Sequence, residues 1–119
     1  MTKALIIEDT PDNLELIRFI LEKNGYETAW AKTGQQGIDM ALADRPDFII
    51  LDIQLPDMDG TEVLKILRAS DIIDGLPIIA MTSYAMSGDR EKLMAAGCNG
   101  YIEKPIDPMK VMDEIRQVI

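Results

Sequence analysis

Five residues in this 119-residue chain combine types and placement suited to shared chemistry. Glu8 and Asp9 follow the apolar run Ala4–Ile7, Asp52 follows Phe48–Leu51, Thr82 follows Pro77–Met81, and Lys104 follows Gly100–Glu103. If each run is a strand of one parallel sheet, all five share the rim at its carboxyl edge. Three carboxylates there repel by a few kcal/mol per pair at ~4–5 Å with an effective dielectric near 20. Such a cluster persists when it is solvated, partly protonated or neutralised by a hard cation. Mg²⁺ suits best, since it takes one or two carboxylates, keeps several waters and leaves a place for a phosphate oxygen. Glu8 and Asp9 are adjacent, so a regular strand would aim them at opposite faces, and the chain must turn away at Thr10-Pro11. Taken singly, acids at strand ends serve as solvated helix caps, and Asp12, Asp57 and Asp59 read that way. Three acids, a hydroxyl and a lysine converging from four strands do not.

An alternation of short apolar runs and amphipathic segments must position them. Ala4–Ile7, Phe48–Leu51 and Pro77–Met81 are unbroken and too short for helices, the pattern of strands covered on both faces. Glu27–Ala31 is mixed, as suits an edge strand, and Gly100–Glu103 is a short fifth strand. Thr10-Pro11 offers a hydroxyl cap and a first-turn proline. Leu14, Ile17 and Leu21 then recur at helical spacing, flanked by Leu16 and Ile20, and Asn24-Gly25 supplies a left-handed stop. Thr33–Asp44 repeats the pattern with Ile38, Ala41 and Leu42, and Thr61–Ala69 with Val63, Leu64 and Leu67. Gly88–Ala96 ends before Gly97. Asp107-Pro108 opens a fifth helix whose buried stripe is Val111, Met112, Ile115 and Ile119. Strand and helix alternate as (βα)₅, so right-handed crossovers require an α/β three-layer sandwich around a parallel sheet. The flavodoxin-like order 2-1-3-4-5 is the common solution, and it places ligands at the carboxyl ends of strands one and three.

Composition excludes several classes. Lys and Arg number 12 against 21 Asp and Glu, a net charge of −9, which argues against a nucleic-acid groove or an anionic membrane as partner. Apolar residues at 47% and charged ones at 28% describe a folded chain, and the length suits a single domain over residues 1–119 with nothing left for an output module. One cysteine and no histidine exclude an internal disulfide and argue against a zinc site. No apolar stretch approaches the ~20 residues of a membrane span. The short apolar start runs into Glu8-Asp9 without the form of a signal peptide, so the expected location is cytoplasmic. Trp30 reads as edge-strand packing, Cys98 as a small core residue and the methionines as core filler.

Glu8-Asp9, the segment Ile49-Ile50-Leu51-Asp52-Ile53-Gln54-Leu55-Pro56-Asp57-Met58-Asp59-Gly60, then Ile79-Ala80-Met81-Thr82-Ser83 and Tyr101-Ile102-Glu103-Lys104-Pro105 together resemble the receiver domain of two-component response regulators. The resemblance spans the whole chain in order. Tyr84-Ala85-Met86 and the lack of an output module are most similar to stand-alone regulators of the DivK type, or to receivers cut from hybrid histidine kinases.

The resemblance implies a set of roles. Asp52 would be the phosphoacceptor, a carboxylate nucleophile forming an acyl phosphate. Asp9 and Asp52, the backbone carbonyl of Gln54, and Glu8 through water would hold Mg²⁺. Lys104 would pair with one phosphoryl oxygen and the Thr82 hydroxyl with another, stabilising the charge that phosphoryl transfer spreads over them. The Lys104–Pro105 bond would be cis. Ser83 is small enough to admit phosphate, and Gln54 and Tyr84 would tune the attack of water on the product. Thr82, drawn to the phosphoryl group, would vacate space for Tyr101 to turn inward, switching the face of helix four, strand five and helix five.

Without a histidine or a GxxxxGK[ST] loop, the group must come from the phosphohistidine of a kinase or phosphotransfer protein. The output would be contact with a downstream effector protein, and a homodimer formed on phosphorylation fits the same scheme. Such a chain catalyses only its own phosphorylation and dephosphorylation and is not a turnover enzyme. An aspartyl-nucleophile phosphatase of the haloacid dehalogenase type would need a DxD motif where Glu8-Asp9-Thr10 stands. A flavodoxin-like electron carrier would need a hydroxyl-rich phosphate loop where Asp9-Thr10-Pro11-Asp12 stands. A binding module that is never phosphorylated would have no use for an intact pocket.

Overall fold

Alternating strand residues divide the core in two. In β1 (Lys3–Ile7), Leu5 and Ile7 enter one apolar cluster while Ala4 and Ile6 enter the other. The remaining elements are α1 (Pro11–Lys23), β2 (Glu27–Ala31), α2 (Gly34–Ala43), β3 (Phe48–Asp52), α3 (Gly60–Arg68), β4 (Ile78–Thr82), α4 (Ser87–Ala96), β5 (Gly100–Glu103) and α5 (Val111–Arg116), with one 3₁₀ turn at Asp71–Ile73. The computed structural model describes residues 2–83 and 87–119, of which 87–89 as backbone only, so the Tyr84-Ala85-Met86 stretch of the resemblance and the role expected of Tyr84 lie outside the described residues. All strand pairs are parallel, in the order β2-β1-β3-β4-β5. The cluster with Leu5 and Ile7 takes side chains from α2, α3 and α4, and the other takes them from α1 and α5. Two helical layers thus cover both faces of the sheet, and the interior strands β3 and β4 are buried along their whole length.

Asp52 and Thr82 are themselves the last residues of β3 and β4, so ladder hydrogen bonds hold the backbone that carries them. Gly60 opens α3 against the end of β3. A Cβ there would lie 2.5 Å from the Ile53 Cα, so only glycine allows this approach. Gly97, at φ +116°, turns the chain out of α4.

Several helix details depart from the sequence expectations. Thr10 occupies the cap position of α1, but its side chain makes no cap hydrogen bond, while its N–H donates to Glu8 Oε1 at 3.1 Å. Leu42 and Ile119, assigned to buried stripes, are exposed, Ile119 by 43%. Asp107 does open the last helical segment through a turn, accepting from the N–H groups of Lys110 and Val111, but α5 proper ends at Arg116, short of Ile119. The methionines are not uniformly core filler: Met81 and Met112 are buried, while Met94 and, at 87%, Met109 are exposed. Cys98 is buried as expected.

Candidate functional site

The site begins where β1 ends. Past Ile7 the chain keeps one more ladder bond, Glu8 N–H to the Ala31 carbonyl at 3.0 Å, and then turns into α1. That turn resolves the conflict between the adjacent acids: the Glu8 side chain is wholly buried, while Asp9 is exposed at the rim. Across β3, the Asp52 side chain is also buried, and its Oδ1 accepts from the Gln54 N–H at 3.1 Å. One carboxylate oxygen from each of Glu8, Asp9 and Asp52 lies within 4.8 Å of the others.

Lys104 enters from the end of β5. Its N–H donates to the Thr82 carbonyl at 2.8 Å, and its peptide to Pro105 is cis. The ammonium lies 3.1 Å from Asp52 Oδ1 and 3.4 Å from Glu8 Oε2. The second contact is an ion pair without hydrogen-bond geometry, so Glu8 Oε2 is buried with no hydrogen-bond partner. Burial pushes the Glu8 carboxyl above its ordinary value, the Asp52 charge adds to the rise, and Lys104 opposes it. One ammonium thus faces the two buried carboxyl groups, with the exposed Asp9 close to both. An orphaned buried oxygen among hard carboxylate donors fits a hard divalent cation and does not fit a soft metal.

Thr82, buried at the end of β4, pairs in register with Glu103, and Met81 beside it pairs with Asp52. A cleft of about 630 Å³ opens beyond the ends of β3 and β4 and is lined by Gln54, Asp59, Thr61, Thr82 and Lys92 among others. At its edge the Ser83 hydroxyl donates to Gln54 Oε1 at 3.2 Å. Tyr101 is half-buried in β5 opposite Ala80, and the Arg90 guanidinium sits 5.6 Å from its ring centroid.

The fold therefore brings Glu8, Asp9, Asp52 and Lys104 into direct proximity, puts Thr82 and Gln54 beside them, and leaves Tyr101 on the neighbouring strand. Two further residues matter, and sequence reasoning gave them lesser parts. Asp57 does cap a helix, but not the one that follows it. Its carboxylate accepts from the N–H groups of Gly34 at 2.8 Å and Gln35 at 3.0 Å, tying the β3–α3 loop to the start of α2 and holding its own carboxyl below the usual range. Trp30 donates its indole N–H to the Glu8 carbonyl at 3.1 Å. Neither partner is near in sequence, so no local pattern signals them.

A parallel five-stranded sheet with acids, a hydroxyl and a lysine gathered at its carboxyl rim defines a receiver-type α/β protein. The chain belongs to the response regulator receiver domain family, which it matches over residues 4–116. It is similar to the polar-differentiation response regulator DivK of Brucella anthropi, 40% identical over 116 residues that cover 98% of this chain and 94% of that protein. The DivK of Brucella ovis is 39% identical, with coverage of 100% and 98%. Among solved structures, a chemotaxis response regulator of Vibrio cholerae superposes with a TM-score of 0.95 at 27% identity, covering 100% of this chain and 99% of that one. The receiver domain of a Pseudomonas aeruginosa sensor histidine kinase, solved with a magnesium ion in its active-site cleft, gives 0.89 at 32% identity, covering 98% and 96%. The order and architecture expected from the sequence are those of this flavodoxin-like family. Among the described residues no helix is long and apolar enough to cross a membrane.

Proposed function

We propose that this chain, acting as one domain over residues 1–119, is a phosphorylation-activated switch in which Asp52 accepts a phosphoryl group from the phosphohistidine of a partner kinase or phosphotransfer protein. One observation carries the reading: carboxylate oxygens of Glu8, Asp9 and Asp52 lie within 4.8 Å of one another, with the Lys104 ammonium 3.1 Å from Asp52. An Asp52 carboxylate oxygen forms the new O–P bond while the N–P bond of the phosphohistidine breaks and its electron pair returns to the imidazole. Lys104 holds the nucleophile's carboxylate beforehand and turns to a phosphoryl oxygen afterwards, and the Thr82 hydroxyl donates to another. Asp9, Asp52, the Gln54 carbonyl and, through water, Glu8 would hold Mg²⁺, which supplies positive charge for the oxygens of the group in flight.

Phosphorylation adds close to two negative charges at the rim. Thr82 shifts toward them, Tyr101 turns into the space beside it, and the surface formed by α4, β5 and α5 changes its packing against an effector protein or a second copy of the chain. The chain performs only its own phosphorylation and dephosphorylation, in the cytoplasm where such kinases present their phosphohistidine. A receiver carried by a hybrid histidine kinase would use the same residues, and the 32% identity to the Pseudomonas aeruginosa domain is the observation behind that second reading. With acetyl phosphate and Mg²⁺ the purified protein incorporates one phosphoryl group, and Asp52→Asn or removal of the metal with EDTA abolishes it. Labelling that survives in Asp52→Asn removes the nucleophile assignment.

A further inference from the structure

Trp30, the one tryptophan of the chain, is half-buried on the edge strand β2, in register with Ile6 of β1. Its indole N–H donates to the Glu8 carbonyl at 3.1 Å, and the Glu8 N–H donates to the Ala31 carbonyl at 3.0 Å. In a continued parallel ladder a backbone N–H of β2 would serve that carbonyl, but β2 stops at Ala31 and the chain leaves toward α2. The indole stands in for the missing donor. Both polar groups of the Glu8 backbone are thereby tied to β2, and the peptide plane joining Glu8 to Asp9 is held at the point where the two acids diverge. The indole is itself fixed: its body packs on the apolar cluster shared with α1 and α5, and the Lys32 ammonium lies 4.8 Å from its ring centroid.

We propose that Trp30 is a positioning residue that sets the affinity of the Glu8–Asp9–Asp52 cluster for a hard divalent cation, through the Glu8 carbonyl and without touching the ion. The inference rests on reading the cluster as a Mg²⁺ site. The test is calorimetric titration of Mg²⁺ into the parent, into Trp30→Phe, and into protein carrying benzothienylalanine at position 30, an isostere that keeps the shape and lacks the N–H. Both replacements raise Kd about 3- to 10-fold, the effect of one hydrogen bond that orients a ligand. Leu16→Ala, which thins the same apolar cluster, lowers Tm and leaves Kd at the parent value. Parent-like affinity in the benzothienylalanine protein overturns the proposal, as does an equal loss in Leu16→Ala. A parent that binds no Mg²⁺ at millimolar concentration refutes the metal reading itself, a result distinct from either.

Discussion

Replacing Asp52, the proposed phosphoacceptor, by asparagine is expected to make the protein more stable. Asp52 is 1% exposed, and its carboxylate faces Lys104 at 3.1 Å and Glu8 within 4.8 Å. With an effective dielectric near 20, the Lys104 attraction is about 5 kcal/mol and the Glu8 repulsion at least about 3.5 kcal/mol, so the two largely offset. Asp9 adds a smaller repulsion because it is exposed. What remains is the cost of stripping water from a buried charge, several kcal/mol per ion. In Asp52→Asn the Lys104 ammonium and the Gln54 N–H keep an acceptor oxygen while the charge and its desolvation vanish. The expected gain is about 1–3 kcal/mol, or roughly 4–12 °C in Tm for a chain of this size. Urea unfolding in EDTA at low ionic strength measures it. Mg²⁺ should then narrow the gap, because the ion binds the folded parent better than the variant. An Asp52→Asn protein less stable than the parent in EDTA by 1 kcal/mol or more would refute the reasoning, since Lys104 would then outweigh both repulsion and burial.

Asp57→Ala removes the acceptor of two α2 N–H groups and should cost about 1 kcal/mol, the usual value of a helix cap. Because the folded carboxyl titrates below its unfolded value of 3.8, the contribution is complete above that pH and disappears as pH falls through the folded value. The gap between parent and variant in urea titrations should therefore close in strong acid, and a gap that widens there contradicts the cap. For the switch, beryllofluoride should shift the amide resonances of Tyr101 and α5 in the parent. In a Thr82→Ala protein that still binds beryllofluoride, those shifts should fall by more than half. Equal shifts in the two proteins would exclude Thr82 as the relay.

The sheet was readable because its interior strands are unbroken apolar runs, a pattern that burial on both faces demands and that helices of four or five residues cannot satisfy. Two of the rim residues were readable for a related reason. Asp52 and Thr82 each close such a run, so the end of the hydrophobic stretch marks the end of the strand to within a residue. Periodicity, however, reports which face of a helix points inward and not how far the neighbouring layer extends. Ile119 falls on the α5 stripe but lies past the end of the helix, and Leu42 lies at the margin of α2, so both reach solvent. The inward turn of Glu8 could be argued only as a necessity, because adjacent strand residues alternate and no local residue states which acid goes in. The ties made by Trp30 and Asp57 were invisible since each joins groups about 22 positions apart, set by tertiary packing alone.

In the proposed site the acids that follow β1 share one cation with Asp52 at the end of β3. The direct measurement is anomalous diffraction from crystals soaked in Mn²⁺, a scatterer that substitutes for Mg²⁺ on oxygen ligands. One peak bonded to the Asp9 and Asp52 carboxylates and the Gln54 carbonyl is the predicted result. A cluster that stays empty at millimolar Mn²⁺, or a peak that contacts only one of the two aspartates, would contradict it.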